Sequence, residues 1–227
     1  YSFKNEHYEH SGYVSLNDKK ISLIMDIGPP PAKKFSNDYQ AGALSFEFSS
    51  NENKIFTNSG IYQKKNLNLN KISRSSAQHN TLTIDDNSSC KFDLKNHNYE
   101  IKNNLNIIKK NIVYEKNYWK INSAHDGFQK KFNLIFEREI EYFPEKFLLI
   151  GNDKIIGKKN LLNLKFDIRF HLNPIAKIMK TQNNKSIFIE IGSEGWKFSC
   201  ENYEINIDNG LYFGNKNSYT DNQNIFI

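Results

Sequence analysis

Hydrophobic and polar residues alternate with a period of two along most of this chain, which is the pattern of strands that bury one face. In "DYQAGALSFEFSS", Leu44, Phe46 and Phe48 share one face and polar residues fill the other. Similar alternation predicts strands at 13–16, 21–27, 43–49, 54–57, 81–85, 99–108, 112–115, 118–123, 131–142, 147–154, 164–172, 175–180, 186–191, 196–200, 203–207 and 210–213. Evenly spaced strands with short polar turns predict an all-β fold, a large antiparallel β-sandwich.

Two segments interrupt this pattern. Residues 28–31, "GPPP", are expected to leave the sheet as an extended loop, because proline has no N–H to donate to a strand partner. Residues 64–78, "KKNLNLNKISRSSAQ", have weak periodicity and predict a long surface loop. No internal repeat, linker or long amphipathic helix appears, so we expect one domain over residues 1–227.

Charge and composition narrow the classes of partner. The chain has 31 basic and 25 acidic residues, a net charge of +6, and its lysines occur in scattered pairs such as Lys33-Lys34. Scattered pairs are typical of a solvated surface rather than of a nucleic-acid-binding stripe, and no nucleic-acid-binding motif is present. The positive surplus is compatible with an anionic partner, including an acidic polysaccharide.

Other sequence features bear on compartment and completeness. No stretch of about 18 apolar residues is present, so no transmembrane helix is expected. The chain begins at Tyr1 rather than methionine, and we expect it to be a fragment of a longer protein. Cys90 and Cys200 are expected to be free core residues rather than a disulfide, and they leave the compartment open.

Of the six histidines, His79 is the one placed for chemistry. It lies where the predicted long loop enters a strong strand, so it is suited to orient a ligand or bind a metal, and a structural role is equally open. His171 alternates with apolar neighbours in "FDIRFHLN", which predicts a surface or cleft position. His125, before Asp126-Gly127, is expected to be structural. The remaining histidines are expected to be exposed: His7, His10 and His97.

Three pieces in the same order and spacing, "YQAGALSFEFSS", "IFTNSGIYQ" and "RSSAQHNTLTIDD", resemble the C-terminal β-sandwich region of the heparinase II/III family of polysaccharide lyases. The family pattern is approximately G-H-A-D-A-L-S-F-E-L, then D-P-G-T-Y, then R-S-T-A-A-H-N-T. Further pieces, "GPPP", "AHDGF", "FDIRFHLNP" and "SEGWKF", look like those of bacterial heparinase-like proteins. The resemblance extends over nearly the whole chain.

This resemblance implies a fold partner and a reaction. Family enzymes combine an N-terminal α/α toroid with the sandwich and cleave uronic-acid-containing glycans by β-elimination. A base removes the proton next to the uronate carboxylate, and an acid protonates the leaving oxygen. The toroid supplies much of that machinery and is absent here, so residues 1–227 alone are expected to be inactive. A periplasmic or cell-envelope location is likewise implied by the resemblance.

The resemblance also implies a structural zinc site, which is eroded here. Its three ligand positions fall on Gln40, Asn58 and His79, and the aspartate of G-H-A-D becomes Gly42. A catalytic histidine position falls on Asp38. Zinc is held by thiolate, imidazole or carboxylate, so one histidine with two amides should bind it poorly. We therefore expect no cofactor, and we expect these three side chains to hydrogen-bond one another instead.

Three residues are candidates for contact with substrate. Arg74 has a planar fork suited to a carboxylate, although an ion pair with Asp or Glu of its own sheet is equally open. Tyr39 and Tyr62 could stack on sugar rings, although packing at strand ends is the commoner use of tyrosine there. Trp119 and Trp196 fit alternating strands and are expected in the core.

Three functional hypotheses follow, in this order. The first is the sandwich domain of a polysaccharide lyase, acting with its missing toroid on an acidic glycan. The second is a non-catalytic acidic-glycan-binding or scaffold module, with a basic groove near Lys64, Lys65, Lys71 and Arg74. The third is a β-sandwich without a ligand.

Overall fold

The computed structural model describes residues 6–8, 11–63, 66–93, 99–157, 163–182, 184–214 and 218–227. The first sheet has five antiparallel strands, and sequence neighbours pair in order. Its strands are β1 (Glu6–Tyr8), β2 (Tyr13–Asn17), β3 (Ile21–Asp26), β4 (Phe46–Ser50) and β5 (Asn53–Phe56). Inward residues such as Val14, Leu23 and Phe48 alternate with outward ones, as the sequence pattern predicts.

Four further sheets complete the described structure. The second has the order β12-β11-β10-β9, and the third has the order β17-β18-β13-β6. The fourth contains β14, β15 and β16, and the fifth contains β7 and β8. The bounds are β6 (Leu82–Ile84), β7 (Lys91–Phe92), β8 (Ile101–Asn103), β9 (Ile107–Glu115), β10 (Tyr118–His125), β11 (Leu134–Phe143), β12 (Leu148–Gly157), β13 (Phe166–His171), β14 (Lys177–Lys180), β15 (Ser186–Ile191), β16 (Glu194–Ser199), β17 (Asn206–Tyr212) and β18 (Thr220–Phe226). The all-β antiparallel sandwich is therefore confirmed.

One hydrophobic core joins the first four sheets. The ring of Phe48 on β4 lies 6.2 Å from Tyr142 on β11 and 5.2 Å from Trp196 on β16, measured between centroids. Trp119 on β10 is 1% exposed and packs 4.9 Å from Tyr142, so its predicted core position is confirmed. Trp196 is partly buried and packs against the same core. Aromatic residues thus pack between sheets whose strands are far apart in the sequence.

The described residues contain two short α-helices, α1 (Leu67–Ser73) and α2 (Gln129–Phe132). Helix α1 contradicts the predicted loop at 64–78. Asn66 caps it by accepting hydrogen bonds from the backbone N–H groups of Asn68 and Leu69, at 3.1 and 3.2 Å. Its sequence lacks an apolar stripe because it buries polar side chains, Asn70 and Ser73, against neighbouring loops. No α/α toroid lies in the part of the chain that the structure describes.

Other predicted boundaries also shift. The strand expected at 43–49 begins at Phe46, because Leu44 has φ of 58° and turns the chain away from the sheet. The strand expected at 131–142 begins at Leu134, after α2 ends at the left-handed Asn133. Residues 28–31 lie outside any strand or helix, as predicted. Cys90 and Cys200 are free thiols, also as predicted.

Within the described residues, no helix combines the length and the hydrophobicity that a membrane crossing requires.

Candidate functional site

Three segments of the chain meet beside the first sheet, and we call their meeting point the corner: residues 38–45 before β4, 57–60 after β5, and 74–81 before β6. The backbone N–H of Ala41 donates to the carbonyl of Arg74 at 2.9 Å, and that of Ser59 donates to the carbonyl of Gln78 at 3.0 Å. The N–H of Leu44 donates to the carbonyl of Asp26 at 3.0 Å, which ties the first segment to β3. Backbone bonds therefore position the segments that carry the three sequence motifs.

Gln40 and His79 are in direct contact in the corner. Gln40 Oε1 lies 3.2 Å from His79 Nε2, and the Gln40 amide nitrogen donates to the carbonyls of Gly60 and Ser73 at 3.0 and 3.3 Å. The other ring nitrogen of His79 lies 2.8 Å from the carbonyl oxygen of Ser75. His79 is 3% exposed, and this burial lowers its pKa to about 4.

Asn58 contributes to the same corner from segment 57–60, which follows β5. Its Oδ1 accepts from the backbone N–H of Asn80 at 2.9 Å, and its amide nitrogen donates to Ser45 Oγ at 3.3 Å. Its backbone N–H donates to Glu47 Oε1 at 3.2 Å. The described contacts link Gln40 to His79 directly and Asn58 to the residue after His79. The expected mutual bonding is therefore present for one pair and indirect for the third side chain.

The zinc implied by the family resemblance does not fit this donor set. His79 Nε2 already contacts the Gln40 amide oxygen. The Asn58 amide uses both of its atoms on protein groups. No group of three or more His, Cys, Asp or Glu is placed to hold a metal among the residues that the structure describes. Neutral amides in these roles are weak zinc ligands.

Gly42 leaves the space that the His79 ring occupies. A Cβ added at Gly42 would lie 2.8 Å from His79 Cδ2 and 3.1 Å from Ser45 Oγ. We expect Gly42→Ala to lower the free energy of unfolding by about 1–3 kcal/mol, because the imidazole must move from its place beside Gln40. Urea denaturation would measure this loss. Gly151→Ala is the matched control, since a Cβ there meets nothing within 4 Å, and equal losses in both variants would contradict the prediction.

A pocket of about 300 Å³ opens at the corner, on the outward face of the first sheet. Of the candidates predicted from sequence, five line it: Asp38, Tyr39, Gln40, Asn58 and His79. Arg74 and Tyr62 are not in its lining. The pocket therefore brings together the positions that the resemblance assigns to metal binding and to catalysis, but only one of the three predicted substrate contacts.

Arg74 lies behind the pocket and is 3% exposed. Its Nε donates to Asn70 Oδ1 at 2.8 Å and its Nη1 donates to the carbonyl of Tyr39 at 2.8 Å. The guanidinium carbon lies 4.7 Å from the Tyr99 ring centroid and 5.7 Å from that of Phe92. Burial lowers its pKa from the usual value. Contact with a substrate carboxylate stays a prediction for Arg74, whose described bonds hold the pocket wall.

The two predicted tyrosines have different surroundings. Tyr39 lines the pocket, and its hydroxyl is buried without a hydrogen-bond partner among the described residues. Burial raises the pKa of that hydroxyl, so it is a donor rather than a base. Tyr62 is 9% exposed and packs edge-on against Phe213, with centroids 5.8 Å apart. Contact of either ring with a sugar stays a prediction.

Three ionisable residues of the pocket escaped the sequence analysis: Tyr13, Asp26 and Glu47. Tyr13 and Asp26 are directly paired across β2 and β3, and both side chains face outward. Burial raises the pKa of Asp26 to about 7, against one backbone N–H bond from Gly28 that lowers it. The nearby Asp26 charge raises the pKa of Tyr13 to about 12. The signal was an aspartate ending an apolar strand, "ISLIMD", on its polar face.

Two other histidines, His125 and His171, are buried. His171 is fully buried, with Nδ1 3.0 Å from Ser59 Oγ and Nε2 2.9 Å from the carbonyl of Ala77. The predicted surface or cleft position is therefore wrong, because both faces of β13 are covered at this end. His125 is fully buried and accepts a bond from the N–H of Gly127 at 3.1 Å, in line with its predicted structural role.

Some predicted residues fall outside this description. His10, His97, Lys64 and Lys65 lie outside the described residues, and the side chain of His7 does too. The expected basic groove is therefore represented only by Lys71, which is exposed, and by the buried Arg74. None of the described residues that line the pocket is a lysine or an arginine.

A family model for heparinase II/III-like proteins, C-terminal region, matches residues 3–227. The chain belongs to this family. A search of curated proteins finds no significant match. Family membership confirms the resemblance seen in the three sequence pieces.

Solved structures agree in fold. A heparan sulfate lyase, HepC from Pedobacter heparinus, superposes with a TM-score of 0.76 and 14% identity, over 99% of this chain and 33% of that chain. A heparinase III superposes with a TM-score of 0.72 and 16% identity, over 99% of this chain and 34% of that chain. The present chain thus spans about a third of the length of these lyases.

Proposed function

We propose that this chain is the sandwich part of a heparinase-like polysaccharide lyase, which cleaves uronic-acid-containing glycans by β-elimination together with an α/α toroid. The observation that carries the proposal is the coincidence of the family motifs with one pocket. Asp38, at the family's catalytic histidine position, lines the same pocket as the three former metal positions. Family membership over residues 3–227 supports the same function.

Asp26 gives this pocket a group suited to proton transfer. Its pKa of about 7 is close to that of an imidazole, which the family places at position 38 and which this chain lacks. A carboxyl group with such a pKa is half protonated near neutrality, so it can accept a proton or donate one. We propose that Asp26 exchanges a proton with the bound glycan, beside the wall of the pocket that Tyr39 forms.

Arg74 and Tyr62 have supporting roles in this proposal. Arg74 holds the carbonyl of Tyr39, and the Tyr62 carbonyl accepts from the side chain of Asn70, which also binds Arg74. Loss of the Arg74 side chain would displace the Tyr39 wall of the pocket, whereas the Tyr62 contribution is its backbone carbonyl. A direct contact of Arg74 with the uronate requires that the glycan or the toroid open that wall.

The test compares the longest natural form of the protein with residues 1–227 alone, on a panel of uronic-acid polymers. The absorbance of the unsaturated product reports elimination. We expect product from the longest form, none from residues 1–227, and a large loss with Asp26→Asn. No product from any polymer would overturn the proposal. Arg169→Ala, a change at a partly exposed ion pair away from the pocket, is the control.

One observation favours a second function, glycan binding without cleavage. The pocket lining includes the carboxylates of Asp26, Asp38 and Glu47 without a lysine or arginine among the described residues, so a uronate there would meet like charges. A binding module would hold the acidic sugar elsewhere on the positively charged chain. Saturable binding that weakens with added salt, with no product formed, would support this function over the first.

A further inference from the structure

Side-chain hydrogen bonds join the three segments of the corner. The Gln40 amide nitrogen has two carbonyl acceptors, on Gly60 and Ser73, which places its oxygen toward His79. A neutral His79 has one N–H, which it donates either to this oxygen or to the carbonyl of Ser75. Its side chain therefore connects all three segments of the corner. A histidine at this position could not donate to two carbonyls and contact His79 at the same time.

Asn58 makes the second connection. Its amide bridges Ser45 in the first segment and the backbone of Asn80 in the third, while its own backbone belongs to the second. Asn80 extends the connection, because its side chain donates to the carbonyl of Phe46 at 2.8 Å and accepts from the backbone N–H of His171. Thr81 Oγ1 donates to the carbonyl of Ala43 at 2.9 Å. Asn80 and Thr81 are buried, and buried polar groups that are paired favour a single arrangement.

The space at Gly42 is adapted to the same arrangement. A Cβ at residue 42 would lie 2.8 Å from Cδ2 of the His79 ring, which is closer than van der Waals contact, so an aspartate there would be incompatible with the present ring position. Gln40, Gly42 and Asn58 therefore depart from the family pattern in ways that fit one another and His79. A zinc site that had only lost its ligands would not be expected to show new hydrogen bonds and matched packing at all three positions.

We infer that the corner is a metal-independent clamp, in which Gln40 and Asn58 take over from a metal ion the task of joining the segments 38–45, 57–60 and 74–81. The clamp holds the pocket wall in place whether or not the glycan is cleaved. Its consequence is that the stability of the protein is insensitive to zinc and to chelators. Gln40 and Asn58 share this task, because the side chain of each one contacts both of the other segments.

The first test measures metal content and thermal unfolding of the longest natural form, purified with zinc in the buffer and compared with and without EDTA. We expect no bound zinc and an unchanged melting temperature. Gln40→Leu should lower the melting temperature by about 5 °C. Stoichiometric zinc, or a melting temperature lowered by EDTA, would overturn the inference, and so would an unchanged melting temperature in Gln40→Leu.

The second test restores the metal donors. The double variant Gln40→His with Asn58→Asp presents two imidazoles and a carboxylate, which suits zinc. We expect it to bind about one zinc per chain and to melt at a higher temperature with zinc than with EDTA. Adding His79→Ala should abolish both effects and so locate the ion. Failure of the double variant to bind zinc would show that these two positions do not account for the loss of the metal site.

Discussion

Replacing Arg138 with alanine is expected to lower the free energy of unfolding by about 3–5 kcal/mol, the usual cost of removing one partner from a buried ion pair. Arg138 is 2% exposed and forms two bonds to the Asp153 carboxylate, from Nε and Nη2, each 2.7 Å long. Its Nη1 donates to the carbonyls of Leu44 and Asn80. The alanine variant would leave a carboxylate and two carbonyls without their donor.

This arginine connects β11 to two of the three segments of the corner, so the pocket should be affected as well as the stability. Arg169→Ala is the control, because Arg169 pairs with an exposed Asp208 at 3.4 Å, and such pairs contribute about 1 kcal/mol or less. Urea denaturation of the three proteins near neutral pH measures the difference. Equal losses in the two variants would contradict the central position assigned to Arg138.

Acidification is expected to destabilise the protein steeply. Burial lowers the pKa of His79, His125 and His171 to about 4, 4 and 3, below the usual 6.5 of an unfolded chain. Between these limits the unfolded state binds a proton at each histidine and the folded state does not. Each histidine therefore costs about 1.4 kcal/mol per pH unit as the pH falls below 6.5.

Asp26 acts in the opposite direction. Its pKa rises from 3.8 to about 7 on folding, so the folded state takes up a proton first and gains stability as the pH falls through that range. Three histidines against one aspartate leave a net loss of about 3 kcal/mol per pH unit between pH 6.5 and 4. Urea denaturation at several pH values in this window measures the slope.

His125→Phe gives the matched control for this slope. The His125 ring already packs beside Phe128 and Phe136, at centroid distances of 5.6 Å, and its Nε2 has no hydrogen-bond partner among the described residues. Phenylalanine should fit there without titrating and reduce the slope by about 1.4 kcal/mol per pH unit. An unchanged slope, or stability that rises toward acid, would contradict the assignment of neutral buried histidines.

The period-two pattern predicted β2, β3 and β4 of the first sheet well, because each of these strands buries one face, as Val14 and Phe48 do. It failed where polar residues are buried. Helix α1 carries Asn70 and Ser73 into the interior, and His171 is enclosed on a strand that alternation placed at the surface. Tertiary hydrogen bonds satisfy these groups, and no local pattern reports them.

Some residues of the candidate site could also be predicted from the sequence, and others could not. The family resemblance carried by three motifs predicts that Gln40, Asn58 and His79 lie together, and all three line one pocket. No sequence motif identifies Asp26 or Arg138. Asp26 reaches the pocket through the register of β2 and β3, and Arg138 acts through hydrogen-bond partners far along the chain. Arg74 had the chemistry of a ligand contact, yet its described bonds are internal ones to Asn70 and Tyr39.

The most direct test of a glycan site in this sandwich is hydrogen–deuterium exchange of the longest natural form, with and without a uronic-acid oligosaccharide. If the pocket receives the glycan, the backbone amides of segments 38–45 and 57–60 should exchange more slowly in its presence, and those of β14–β16 should be unchanged. Slower exchange confined to surfaces remote from the pocket, or no change anywhere in residues 1–227, would contradict the proposed site.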